Sequence, residues 1–245
     1  MNESKEKNEP SELSGPRHTK AWIQILAAAL GVLPIYSGLI ILQLQSDGQI
    51  SMQGFILYLA VIAPLGIVIV LLLLQFLCGE TFRDLNLKSG KLSSDLIAAL
   101  ILSLMIIVAN VISTQFLSGL FPESPANASV RNLFTDLASD SKLLVLFLGL
   151  FFLGAASEEI IRMFLLSRLW KVWPSTIGKL LAVFISACLF GLIHLYQGPV
   201  GAAWTAIFGF IMALTYLRFG RIVPLILSHY LTNALQVVVF TVLAR

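Results

Sequence analysis

Two adjacent glutamates in a greasy stretch set the first question. Glu158 and Glu159 stand in SEEIIRMF (157–164), with Arg162 following and apolar residues on almost every side. Residues four apart share a helix face, so Glu158 and Arg162 are expected to pair, while Glu159 is rotated about 100° away. One carboxylate fixed by a cation and one left beside it is a division of labour that suits general acid–base chemistry. Two further groups have the same character. FGLIH (190–194) places His194 after Phe190, and HYLTN (229–233) places His229 and Asn233 on one face at i, i+4.

Each group alone has a plain structural reading. Glu158–Arg162 could be an ion pair locking two helices, His194 a hydrogen-bonded packing residue, and His229 with Asn233 a polar joint between helices. Phe190 reads as core. Together they read differently, because charges in a bilayer are costly and such residues usually face a bundle interior and mark function. Two Glu, two His and an Asn supply the parts for activating water and steadying an oxyanion. The preceding Gly154-Ala-Ala-Ser157 has the small residues that let another helix approach closely.

The elements that must position these groups are membrane helices. Of 245 residues, 58% are hydrophobic and 12% charged, against about a quarter charged in a soluble domain. Long apolar runs separate the charges, and about 20 apolar residues suffice to cross a bilayer as a helix. The fold class is therefore all-α, a polytopic transmembrane bundle of about seven spans. These are expected near Ala21–Leu44, Gly54–Leu77, Leu96–Leu120, Leu143–Trp170, Ile177–Tyr196, Val200–Leu217 and Ile222–Leu243.

Residues 1–20 read as a disordered polar tail ahead of a transmembrane domain over 21–245. The net charge of +3 arises from short loops, so it speaks to topology and not to nucleic acid. Cys78 and Cys188 have no metal-like spacing and read as small packing hydrophobes. The longest connection, Phe121–Ser141, reads as a surface loop.

Lys and Arg alternate from loop to loop. The tail carries Lys5, Lys7, Arg17 and Lys20, the second loop Arg83, Lys88 and Lys91, and the fourth a basic segment from Arg168 to Lys179. The sixth is bracketed by Arg218 and Arg221. The first and fifth loops carry no charge of this kind, and the third holds Arg131 against Glu123, Asp136 and Asp140. The positive-inside rule then puts the N-terminus in the cytoplasm and the C-terminus outside.

With its three polar groups in order on separate spans, the chain resembles the CPBP family of intramembrane proteases, which includes the CAAX prenyl endopeptidases and the bacterial Abi proteins. The family pattern is Glu-Glu-x-x-x-Arg, then Phe-x-x-x-His, then His-x-x-x-Asn. The second motif matches at Phe190 and His194 and the third at His229 and Asn233, and the likeness covers roughly 143–243. The first departs from the pattern, since Met163 stands where the family has its Arg. One register keeps Glu158 and Glu159 as the family pair with Arg162 shifted. The other keeps Arg162, making Glu158 the second Glu and placing Ser157 at the first position.

The resemblance implies peptide hydrolysis by a glutamate-activated water. Glu158 or Glu159 would be the base, with His194 assisting, His229 and Asn233 steadying the oxyanion, and Arg162 holding the carboxylates in register. It implies no cofactor, although two His and a Glu could ligate zinc with water in the fourth place. Expected partners are membrane lipid and a peptide or membrane-protein substrate, in a bacterial inner membrane. Two other readings stand beside it: a catalytically inactive family member, and a transporter or scaffold that uses the same cluster for protons or a partner.

Depth supplies one geometric expectation. Counting about 1.5 Å per residue from the cytoplasmic interface, His194 lies on the order of 10 Å beyond Glu158 and His229. The segment HLYQGPVG (194–201) is therefore expected to dip back into the bundle, where irregular backbone is tolerated if buried in protein or lining a wet cavity.

Overall fold

The computed structural model describes residues 19–32, 51–85, 90–122 and 124–243, and every regular element among them is helical. The polar tail lies outside the described residues except for Thr19 and Lys20, which open α1 (Thr19–Val32). The first expected span, Ala21–Leu44, is therefore described only through Val32. Then come α2 (Met52–Cys78), α3 (Leu92–Leu120), α4 (Pro125–Ser139), α5 (Ser141–Val172), α6 (Thr176–Ile193), α7 (Gly198–Phe219) and α8 (Val223–Leu243). Five helices are long and apolar enough to cross a membrane: α2, α3, α5, α6 and the 195–219 stretch containing α7. With α1 and α8 this accounts for the expected bundle, an integral multi-pass membrane protein.

Side chains at the helix starts explain several boundaries. Ser51, Asp140 and Ser175 each turn an oxygen onto first-turn backbone N–H groups of α2, α5 and α6, satisfying donors that no preceding turn can reach. Polar caps thus punctuate an otherwise continuous apolar sequence. Long apolar side chains remain exposed along α3, among them Ile97, Leu100, Ile101, Leu104 and Met105. In a membrane protein these face lipid, and the opposite stripe of the helix packs inward through Ala99, Leu102 and Ile106.

The Phe121–Ser141 connection is not a plain surface loop. Most of it is α4, with Pro125 at its first position, where the missing N–H costs nothing. Val130, Leu133, Phe134 and Leu137 recur at helical spacing; Leu133 and Leu137 are buried, and the first three line the central cavity. Amphipathic and too short to span, the segment lies across α5, α7 and α8.

Two small-residue contacts decide how the central helices approach. Gly154 faces α2 so closely that an added Cβ would meet Leu59 at 2.8 Å. One turn further on, the Ser157 hydroxyl donates to the Ala63 carbonyl of α2. The Gly154–Ser157 stripe therefore seats α5 on α2, as its composition predicts. Near this point α2 widens into a π-turn over Tyr58–Ile62, a departure that is frequent beside functional sites.

Candidate active site

Glu158 and Glu159 divide their environments, in the opposite sense to the expectation from spacing. Glu159 is fully buried and forms the ion pair with Arg162, three residues on. Glu158 makes no such pair and lines the cavity. Offsets of three and four both bring side chains together on a helix, so spacing alone left the choice open. Other helices decide it. Arg162 Nη1 donates to the Gly209 carbonyl of α7 at 3.0 Å, and its guanidinium lies 4.7 Å from the centre of the Phe190 ring on α6. His229 of α8 supplies a second partner to Glu159, with Nδ1 2.8 Å from Oε1.

These contacts fix the histidine tautomers. A carboxylate paired with Arg162 accepts, so His229 donates from Nδ1 and turns Nε2 outward. His194 donates from Nδ1 to the Phe190 carbonyl at 2.7 Å, because a carbonyl can only accept. The second ring nitrogen of each histidine then faces one atom. Glu158 Oε2 lies 3.6 Å from His229 Nε2 and 3.8 Å from His194 Nε2. Three helices converge on a single carboxylate oxygen. Asn233, one turn beyond His229, lines the same cavity.

The depth discrepancy is resolved by the segment after α6. His194 ends that helix, a single 3-10 turn (Leu195–Gln197) follows, and α7 begins at Gly198. Tyr196 and Gly198 are buried, so the connection folds back into the bundle as the depth count predicts. Gly198 makes this possible with φ of 81°, a backbone conformation that side-chain-bearing residues rarely adopt. The turn also brings polar groups that motif reading missed. Tyr196 stacks obliquely on His194 at 5.5 Å, Gln197 donates to the Tyr196 hydroxyl at 3.0 Å, and both line the cavity. Their only sequence signal is polarity inside an apolar stretch.

The cavity measures about 570 Å³. Its walls are mainly aromatic and aliphatic, including Phe55, Phe151, Trp204 and Phe208, with Glu158, His194 and His229 as the convergent polar groups. Sites for small ligands and peptides have this make-up of apolar walls with a few aimed polar atoms. Phe190, which reads as core in the sequence, both anchors His194 through its carbonyl and carries Arg162 on its ring. Among the described residues, no group of three or more His, Cys, Asp or Glu side chains is arranged to hold a metal ion.

Residues 140–235 match the family described as type II CAAX prenyl endopeptidase Rce1-like. The match supports a CAAX-protease family assignment. The matched stretch begins at the Asp140 cap of α5 and ends just past Asn233, so it holds all three polar groups and the helices that carry them. That family is one of endopeptidases. No curated protein and no solved structure matches it.

Proposed function

We propose that the protein is an intramembrane endopeptidase in which Glu158 activates water for direct attack on a peptide carbonyl. The observation that carries this reading is the convergence of His194 Nε2 and His229 Nε2 on Glu158 Oε2. Separations of 3.6 and 3.8 Å exceed a direct hydrogen bond and suit a bridging water. Glu158 takes a proton as the water oxygen bonds to the carbonyl carbon, and the carbonyl oxygen becomes an oxyanion. The Asn233 amide, in the same cavity lining, is assigned as the donor to that charge. Collapse breaks the C–N bond as the protonated Glu158 returns its proton to the leaving nitrogen, giving an acid and an amine and restoring the carboxylate.

Glu159 and Arg162 serve this chemistry indirectly. Their ion pair, with the Gly209 carbonyl and Phe190 ring around it, holds His229 in the tautomer that presents Nε2. Of the two registers, the one with Glu158 and Glu159 as the family pair is favoured, with Arg162 reaching the second Glu from three residues away. Zinc, which two His and a Glu could ligate, takes no part in these proposed steps.

The test is cleavage of a membrane-embedded reporter peptide by purified protein in liposomes, with and without a chelator. Activity that survives chelation and is lost in Glu158→Gln and in His229→Ala is expected. Cleavage unchanged in Glu158→Gln, Glu159→Gln and His229→Ala would end the protease reading and favour the transporter or scaffold alternative.

A further inference from the structure

The two ends of the bundle differ in charge, and the cavity belongs to one of them. Contacts assemble the first end without reference to any membrane. Arg168, at the end of α5, donates to Glu80 beyond α2 and to Gln24 of α1, and Lys171 also pairs with Glu80. Arg221, ahead of α8, pairs with the buried Asp95 in the first turn of α3. Tyr216, near the end of α7, donates to the Leu85 carbonyl. The end of α2, the start of α3, the ends of α5 and α7 and the start of α8 therefore meet at one face. Lys20, Arg83, Lys91, Lys171, Lys179, Arg218 and Arg221 all lie in or beside these segments.

Among the described residues the opposite end carries fewer cations, Arg131 in α4 and Lys142 at the start of α5, and the cavity lining lies toward it. The lining on α8 runs from His229 outward to Val239, away from Arg221. On α3 it comes from Ile107 to Val111, in the second half of the helix, and on α2 from the opening turns at Phe55–Leu59. Helix α4 forms its outer wall. Lys and Arg in short connections mark the cytoplasmic face.

We infer that the cavity opens to the extracytoplasmic side. Its substrates are then apolar peptide segments presented from that side, as in exported or membrane-anchored polypeptides, and not cytoplasmic C-terminal tails. This substrate class rests on the protease reading above; the direction of opening does not. Aromatic walls at Phe55, Phe151, Trp204 and Phe208 favour bulky apolar side chains over charged ones.

Single cysteines test the orientation in intact right-side-out spheroplasts, using a membrane-impermeant maleimide. Phe121→Cys, on the exposed turn after α3, and Gln236→Cys, in the cavity lining, are expected to label in intact cells. Ser94→Cys, exposed in the first turn of α3, is expected to label only after permeabilisation. The reverse pattern would overturn the inference. The measurement is made both in the native background, where Cys78 is buried and Cys188 half-buried, and with both replaced by Ala, so a poorly folding variant does not decide it. A paired assay places one cleavable apolar segment on either side of the same membrane anchor, and only the outside-facing copy should be cut. Cleavage of the inside-facing copy alone would refute the substrate class. Outward labelling with neither copy cut would count against the protease reading while the orientation stands.

Discussion

At the scale of single residues, the account turns on two neighbours with different fates. Glu159 is enclosed by Arg162 and by His229 of α8, while Glu158 meets the cavity. The residue types and their order were legible in the sequence, as was their convergence, because so few ionisable groups lie in the spans. Which glutamate Arg162 takes was not legible. The choice depends on the Gly209 carbonyl and His229 Nδ1, which come from helices tens of residues away. Removing the cation should expose the cost of this arrangement. Arg162→Met leaves Glu159 buried without a counter-charge, and loss of one partner of a buried pair costs about 3–5 kcal/mol. A marked fall in thermal midpoint in detergent is expected, and an unchanged midpoint would contradict the pairing.

At the scale of elements, apolar length placed the helices and short polar residues placed their starts, both readable from sequence. The missed element is α4. Val130, Leu133, Phe134 and Leu137 carry helical periodicity, but Pro122, Pro125 and the scattered charges around them give the stretch the composition of a loop. Its burial comes from packing on three other helices, which no local pattern displays. The turn after α6 was foreseen from depth alone, although its left-handed glycine was not. Gly198→Ala forces a side chain into φ of 81°, a strain of about 1–3 kcal/mol. The expected outcome is a lower melting midpoint together with a reduced kcat, since His194 is positioned by that turn. Activity and midpoint both at wild-type levels would show that the turn does not hold the histidine.

At the scale of the whole molecule, charge is sorted by end: a basic, ion-paired face, and a face bearing the cavity. The alternation of Lys and Arg was visible in the loops, but the buried pairs that tie this face together were not, because Glu80 and Asp95 look like ordinary interfacial charges. Burial pushes the Glu80 carboxyl up, but hydrogen bonds and charge from Arg168 and Lys171 outweigh it and bring the group down to about 2. Its folded value lies below the ordinary 4.5, so the stability it contributes is present above that pH and is lost as pH falls toward 2. Melting followed from neutral to acidic pH should show a decline in the wild type that is shallower in Glu80→Gln. Parallel curves would mean the cluster does not stabilise the fold.

The division between the two glutamates is what the enzymatic reading cannot do without. It is tested most directly by measuring kcat and melting midpoint together for Glu158→Gln and Glu159→Gln. Loss of a general base costs roughly 10²–10⁴-fold in rate, so Glu158→Gln should lose that much kcat at an unchanged midpoint, whereas Glu159→Gln should lower the midpoint. A Glu158→Gln protein that melts normally and still cleaves at the wild-type rate would contradict the account.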